Sequence, residues 1–305
     1  MSGKNVTEVR LADAEGIARA AQILESGGLV AVPTETVYGL AARADRAEAV
    51  ARIYAAKGRP DFNPLIVHVA GLEQAERFAE FSPAARSLAA AHWPGPLTLV
   101  LPRRPDAGLA EAVTAGLPTI ALRAPEHPVM QALLAAVDFP LAAPSANRSG
   151  FISPTCADHV LASLDGRIEL VLDGGATPAG VESTIVAVRA DGSVEELRPG
   201  PLALGVRSAG GSIEAPGQLA SHYAPGKPVR LNVLEAAPDE FLIGFGPVKG
   251  DVTLSASGNL TEAASRLYAS LHDAARASQP RIAVAPVPEN GVGRAINDRL
   301  RRAAA

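Results

Sequence analysis

Between residues 57 and 69 the chain reads KGRPDFNPLIVHV, so that Lys57, Arg59, Asn63 and His68 crowd one turn and the apolar run after it. Lysine supplies a point charge and arginine a planar two-pronged donor, the pair of groups suited to phosphates and carboxylates. The same kind of residue recurs just after or near the end of other apolar runs. Thr34, Glu35 and Thr36 follow LVAV, Arg123 closes TIALR, Ser145 and Asn147 follow PLAAP, Ser183 and Thr184 open STIV, and Arg198 closes EELR. Ligands of open α/β sheets bind at strand ends, where backbone and side chains converge. Four cations, several hydroxyls and an amide at such positions suit a polyphosphate together with a carboxylate.

Each residue also has a plainer reading. Lys57 before Gly58 and Pro60 complements a helix C-terminus. His68 reads as a satisfied core histidine, and Thr34 and Thr36 as turn residues. Ser145 and Asn147 would cap a following helix, Arg123 and Arg198 would be solvated or paired, and Tyr223 would be an apolar tether. For Glu35 the structural carboxylate is preferred over a general base. What favours a site is their conjunction at successive strand ends.

Other chemistries are missing from the sequence. It has no G-x-x-x-x-G-K-[ST], no complete G-x-G-x-x-G after a strand, no H-E-x-x-H and no G-x-S-x-G. The Gly244–Gly246 pair in GFGPVKG reads as a tight strand exit.

The elements that must position these residues alternate between α and β. A helix over 11–26 ends at Gly27-Gly28, and LVAVP from Leu29 is a buried strand. DRAEAVARIYAAKG reads as a helix with Asp45 as N-cap and Glu48 at the third position, stopped by Gly58. Further helices are expected at 73–79, 83–92 and 127–137, and strands at PLIVHVA, PLTLVLP, TIALRAP, ELVLDGG and STIVAV. This is a mixed α/β unit over 1–207. SAGGSIEAPGQLASHYAPGKP (208–228) is a linker by composition, and 229–305 alternates strand and helix as a small, Rossmann-like parallel sheet.

The 305 residues carry a net charge of −4, with 4% aromatics and one cysteine, Cys156. That balance argues against gripping nucleic acid by bulk positive charge, and one cysteine excludes disulfide frameworks and cysteine zinc sites. With no signal-like N-terminus and no long apolar run, a cytoplasmic protein without membrane contact is expected.

In order along residues 14–205, PTETVYGL, KGRPDFNPLIVHV, WPGPLTLVL, TIALRAPEHP, APSANRSGFISPT, GVESTIV and LRPG resemble the threonylcarbamoyl-AMP synthase (YrdC-like) family. SHYAPGKP, GFG and GVGRAINDR further on are similar to its longer, two-domain form. The resemblance implies a twisted sheet with a concave cationic cavity. It implies an enzyme that joins L-threonine, bicarbonate and ATP into threonylcarbamoyl-AMP and pyrophosphate, with magnesium on the nucleotide and no metal ligand identified among the side chains. A tRNA threonylcarbamoyl transferase complex would take the product, with at most weak tRNA contact by the synthase. By the same resemblance Lys57 and Arg59 hold the phosphates, and Asn63, Thr119, Ala143, Ser145, Asn147, Ser153 and Arg198 line the ATP site. Thr36, His68, Arg123, Ser145 and Ser183 surround threonine, with Arg123 on its carboxylate, and Tyr223 closes over the nucleotide as a lid.

Three other readings compete. An RNA-binding module fits poorly with the acidic balance and scarce aromatics. A carbamoyltransferase of the larger relatives would bring extra modules, some with zinc-binding cysteines. A structural or regulatory protein would not need the cluster of cations and hydroxyls.

Overall fold

The computed structural model describes residues 6–208, 214–218 and 221–305, so parts of the expected linker lie outside the described residues. The first lobe runs β1 (Glu8–Leu11), α1 (Ala14–Glu25), β2 (Val30–Pro33), β3 (Tyr38–Arg43), α2 (Ala47–Lys57) and β4 (Ile66–His68). It continues through α3 (Leu72–Ala75), α4 (Pro83–His92), β5 (Leu97–Pro102), β6 (Thr119–Arg123), α5 (Pro128–Ala136) and β7 (Leu141–Ala142). It closes with α6 (Ala157–Leu164), β8 (Leu170–Asp173), β9 (Thr184–Val188), β10 (Val194–Arg198) and β11 (Arg207–Ser208). The second lobe holds β12 (Val229–Arg230), β13 (Glu240–Gly244), β14 (Val252–Thr253), α7 (Leu260–Arg276), β15 (Arg281–Val284) and α8 (Gly293–Ala303).

The strands form a mixed eleven-stranded sheet, ordered β1-β8-β2-β3-β7-β4-β6-β5-β9-β10-β11, and a four-stranded sheet, β12-β15-β13-β14. All three pairings of the small sheet are parallel, as its strand-helix alternation predicts. Central strands such as β2 and β9 are buried along their whole length, because helices and loops cover both faces. Leu29, Ala31, Leu40 and Val67 pack on one side of the large sheet, and Ala20, Leu24, Val30 and Leu133 on the other.

Two local expectations are corrected. Leu11 ends β1, which pairs in parallel with β8, and the helix begins only after Asp13, whose carboxylate accepts the Gly16 N–H at 2.9 Å. Asp45 does not cap α2. It takes both prongs of Arg43, at 2.9 and 2.6 Å, so Arg46 stands at the N-cap without a side-chain bond. The stop at Gly58 is as expected, with φ of 58° in the left-handed region that favours glycine.

The two lobes share a core. Val37, Ile152 and Val181 of the first lobe and Tyr223 of the linker belong to the same apolar cluster as Leu267, Ile243 and Ile296 of the second. Beside it, His159 on α6 stacks on His272 on α7, ring centroids 3.8 Å apart. Burial pushes His159 down to about 4, and burial with the neighbouring His159 pushes His272 down to about 3. Unfolded, each would titrate near pH 6.5. Their contribution is therefore fully present above about pH 6.5 and is lost as pH falls toward the folded values, because the unfolded chain binds more protons in that window. The melting temperature should drop between pH 7 and pH 5, and His159→Gln with His272→Gln should shrink that drop. An identical drop in the double variant would show that the pair plays no part.

Candidate active site

One cavity collects the strand-end residues. It is bounded by the β2–β3 turn (Thr34, Thr36), the β4 strand (Ile66, His68), Arg123 of β6, the β7 exit (Ala143, Ser145), Glu182 and Ser183 before β9, and Arg198 of β10. Arg59 contributes from the turn after α2, and Pro216, Gly217, His222 and Tyr223 of the linker close the remaining side. Nine of the expected residues line it: Thr36, Arg59, His68, Arg123, Ala143, Ser145, Ser183, Arg198 and Tyr223.

The arginines are held in two different ways. Arg123 pairs with Glu35 at 2.6 Å, donates to Thr36 Oγ1 at 2.9 Å and reaches the Gly95 carbonyl through Nε at 3.3 Å. Glu35 is thus a structural carboxylate that aims Arg123, and it also takes the Glu126 N–H at 3.2 Å. Three of the five guanidinium donors are engaged, which leaves two for a ligand. Arg59 and Arg198 instead donate to uncharged acceptors. Arg59 bonds the Asn63 and Pro64 carbonyls at 3.1 and 2.8 Å. Arg198 bonds the Ser183 carbonyl at 3.1 and 3.0 Å, Ser183 Oγ at 3.1 Å and the Pro216 carbonyl at 3.3 Å. Neither makes an ion pair among the described residues, although both are buried. Burial pushes Arg59 down to about 10, which still leaves it charged at neutral pH.

Five expected residues lie outside the lining: Lys57, Asn63, Thr119, Asn147 and Ser153. Lys57 is the last residue of α2 and turns inward behind the wall. Its Nζ donates to the Ser145 and Asn147 carbonyls, both at 2.6 Å, and to Asn147 Oδ1 at 3.4 Å. Burial, then the Arg59 charge, push its pKa well down, while the close carbonyls favour the ammonium. In this arrangement Lys57 holds the 145–147 turn. Thr119 opens β6, four residues before Arg123, and Ser153 donates to Glu182 Oε1 at 2.6 Å. Asn63 Oδ1 and His68 Nδ1 are buried without a partner, and unpaired buried polar atoms are rare enough to call for a ligand or solvent. Burial and Arg123 hold His68 down to about 3, so its ring is neutral at pH 7.

Three participants escaped the sequence reading: Glu182, His222 and Arg299. Glu182, in GVESTIV, is the acidic residue of an otherwise apolar and hydroxyl-bearing run, which is the one signal that marked it. Arg299 is fully buried on α8 and pairs with it at 3.0 Å. His222 lies beside Tyr223, ring centroids 4.1 Å apart.

The linker covers the cavity at two places. Gly217, φ 82°, runs so close to Arg198 that a Cβ there would stand 2.9 Å from the arginine's Cδ. Tyr223, φ 65°, is buried to 1%. The cavity is partly open to solvent, and its interior offers about 50 Å³, room for about four waters. Among the described residues no three metal-ligating side chains gather, and the cavity's two carboxylates, Glu35 and Glu182, are each tied to an arginine.

A cationic cavity lies at strand ends of a mixed α/β sheet, lined on one side by the linker to a second lobe, and this arrangement defines a two-lobed α/β protein. The family profile described as "Telomere recombination" matches residues 22–200, and one described as "Threonylcarbamoyl-AMP synthase, C-terminal domain" matches 184–305. A threonylcarbamoyl-AMP synthase of Bacillus subtilis is 40% identical, over 94% of this chain and 92% of that one. Among solved structures, a doubly substituted Pyrococcus abyssi Sua5 superposes with a TM-score of 0.89 at 35% identity, over 98% of this chain and 96% of that one. P. abyssi Sua5 complexed with L-threonine gives 0.87 at 37%, over 98% and 97%. The chain belongs to the threonylcarbamoyl-AMP synthase family, in its two-lobed form.

Lys57→Met would orphan the Ser145 and Asn147 carbonyls inside the protein. It should lower the unfolding free energy by about 1–3 kcal/mol. A urea titration with an unchanged midpoint and slope would show that Lys57 does not support the turn.

Proposed function

We propose that the chain is an L-threonylcarbamoyladenylate synthase and so a nucleotidyltransferase. It condenses L-threonine, bicarbonate and ATP to threonylcarbamoyl-AMP, pyrophosphate and water. The observation that carries this reading is that Lys57, Arg59 and Arg198 are buried without a carboxylate partner among the described residues. Burying uncompensated positive charge is costly unless an anion completes it, and here two of the three face a cavity.

In this reading Arg59 and Arg198 take the phosphates. Arg123, aimed by Glu35, offers its two free N–H groups to the threonine carboxylate, with Thr36, neutral His68 and Ser183 around the remaining polar groups. The threonine amine adds to carbon dioxide or bicarbonate, giving a carbamate. A carbamate oxygen then attacks the α-phosphorus, and pyrophosphate leaves. No enzyme nucleophile is required; positioning and stabilisation of phosphoryl charge do the work. Asn63, Thr119, Ala143, Ser145, Asn147 and Ser153 would flank the nucleotide when the linker is displaced. Magnesium would arrive with ATP.

Pro216, Gly217, His222 and Tyr223 of the linker then act as the lid. With Tyr223 and Gly217 in place the interior of about 50 Å³ is smaller than ATP, so in this reading both move aside as the nucleotide enters. Once closed, the lid keeps water from a hydrolysable mixed anhydride. The product would be handed to a tRNA threonylcarbamoyl transferase complex in the cytoplasm. Among the described residues no helix is long and apolar enough to cross a membrane.

Purified protein mixed with ATP, threonine and bicarbonate should release pyrophosphate only when threonine is present. Release at the same rate without threonine, or none at all, would refute the synthase reading. Tyr223→Ala should weaken equilibrium ATP binding by about tenfold through loss of the closed state; an unchanged Kd would remove the lid.

A further inference from the structure

One buried hydroxyl stands directly behind the cavity wall. Thr98 lies on β5, between β6, which carries Arg123, and β9, which Ser183 immediately precedes. Its face of the sheet is otherwise apolar. Val100 on the same strand, Ile185 opposite Thr98 on β9, and Ile66, Ala121 and Ala187 belong to one buried cluster. Thr98 is fully buried there, and its Oγ1 lies 2.7 Å from Ser183 Oγ. Ser183 Oγ also accepts a bond from Arg198 Nη2 at 3.1 Å, and Ser183 lines the cavity whereas Thr98 does not.

We infer that Thr98 is a positioning residue: it donates its proton to Ser183 Oγ and so leaves the Ser183 hydroxyl proton as a donor for an anionic oxygen bound in the cavity. The identity of that ligand, L-threonine, rests on the synthase reading. The direction of the bond rests on the hydroxyls alone.

The distance fits a bond in either direction, and the fate of the buried protons decides between them. Ser183 is the one side-chain partner of Thr98 among the described residues. If Ser183 donated to Thr98, the Thr98 proton would be buried among apolar side chains with no acceptor, and an unmade buried donor is costly. If Thr98 donates, Ser183 Oγ fills its acceptor positions with Thr98 and Arg198. The proton left over then belongs to the residue that faces the cavity. Packing gives no reason for a hydroxyl at this position, since valine has the same shape and suits the apolar face better. With Arg123 and Arg198, Ser183 offers the ligand donors only, which matches a carboxylate or phosphate oxygen and disfavours an N–H group.

Calorimetric titration of the full-length protein with L-threonine tests this. Thr98→Val should weaken binding about fivefold and raise the KM for threonine by a similar factor, with kcat at saturation little changed. Thr98→Ser, which keeps the hydroxyl, should recover most of that loss. In a Ser183→Ala background Thr98→Val should have no further effect, because the group it acts through is already gone. Equal losses from Thr98→Val with and without the Ser183 hydroxyl, no loss at all, or a loss confined to kcat would overturn the proposal. The bond direction has its own readout in neutron diffraction from deuterated, ligand-free wild type, which should place a deuteron on Thr98 Oγ1 along the line to Ser183 Oγ. A deuteron on Ser183 pointing at Thr98 would overturn the proposal, and this holds even where a variant does not fold. Because the neutron map needs no turnover, a wild type that makes no pyrophosphate would sink the synthase reading and leave this readout intact.

Discussion

Positive charge held inside the protein without a carboxylate to cancel it constrains everything around the cavity. Lys57, Arg59 and Arg198 hydrogen-bond backbone carbonyls, acceptors that do not neutralise them, while the nearby Glu182 charge favours the charged form of Arg198 without pairing with it. Carbonyls are free where the chain leaves regular structure, so the cations must sit at turns and strand ends. This accounts for the irregular stretches at 57–64, 145–151 and 198–200, each of which supplies or receives such a bond. Where an arginine meets a carboxylate, as in Arg123 with Glu35 or Arg299 with Glu182, the pair fixes direction. The molecule thus separates cations that await an anion from cations that hold the frame.

That division was only half legible in the sequence. Polar residues in or after apolar runs marked strand ends, and Thr34, Thr36, His68, Arg123, Ser145, Ser183 and Arg198 do meet at one cavity. The parallel second sheet and the stop at Gly58 also followed from pattern and punctuation. The direction of Lys57 was legible as the inward face of α2, but not its target, because its acceptors lie 88 and 90 residues away. Glu182 and Arg299 are 117 residues apart, and no spacing rule connects them. Asp45 had the residue type and position of a cap, yet Arg43 two residues earlier competed for it and won with two charge-assisted bonds. β1 was missed because its pattern is largely exposed and its partner, β8, follows far downstream.

The second lobe has its own sheet but not a wholly separate core. Val37 and Val181 come from segments that also carry Thr36, Glu182 and Ser183, so the apolar cluster of α7 and β13 abuts the cavity wall. A change in how α7 and α8 pack is therefore felt at the cavity without any intervening relay. The linker adds a second tie, since Ala224 N–H bonds the Gly150 carbonyl of the first lobe while His222 N–H bonds Arg302 of the second. It is stitched to both sides immediately around Tyr223.

These ties set the energetics of opening. Lifting Tyr223 out exposes a large aromatic side chain, a cost of about 1.5–3 kcal/mol. Against this, release of a non-glycine residue from φ 65° returns about 1–3 kcal/mol of backbone strain. The two terms oppose each other and are of similar order. The contacts of Tyr223 with the Tyr268 ring and the Arg299 guanidinium act on the closed side of that balance. A lid whose closure depends on a narrow difference between opposing terms can be tipped by its ligand, because an anion completing Arg59 and Arg198 adds directly to the closed side.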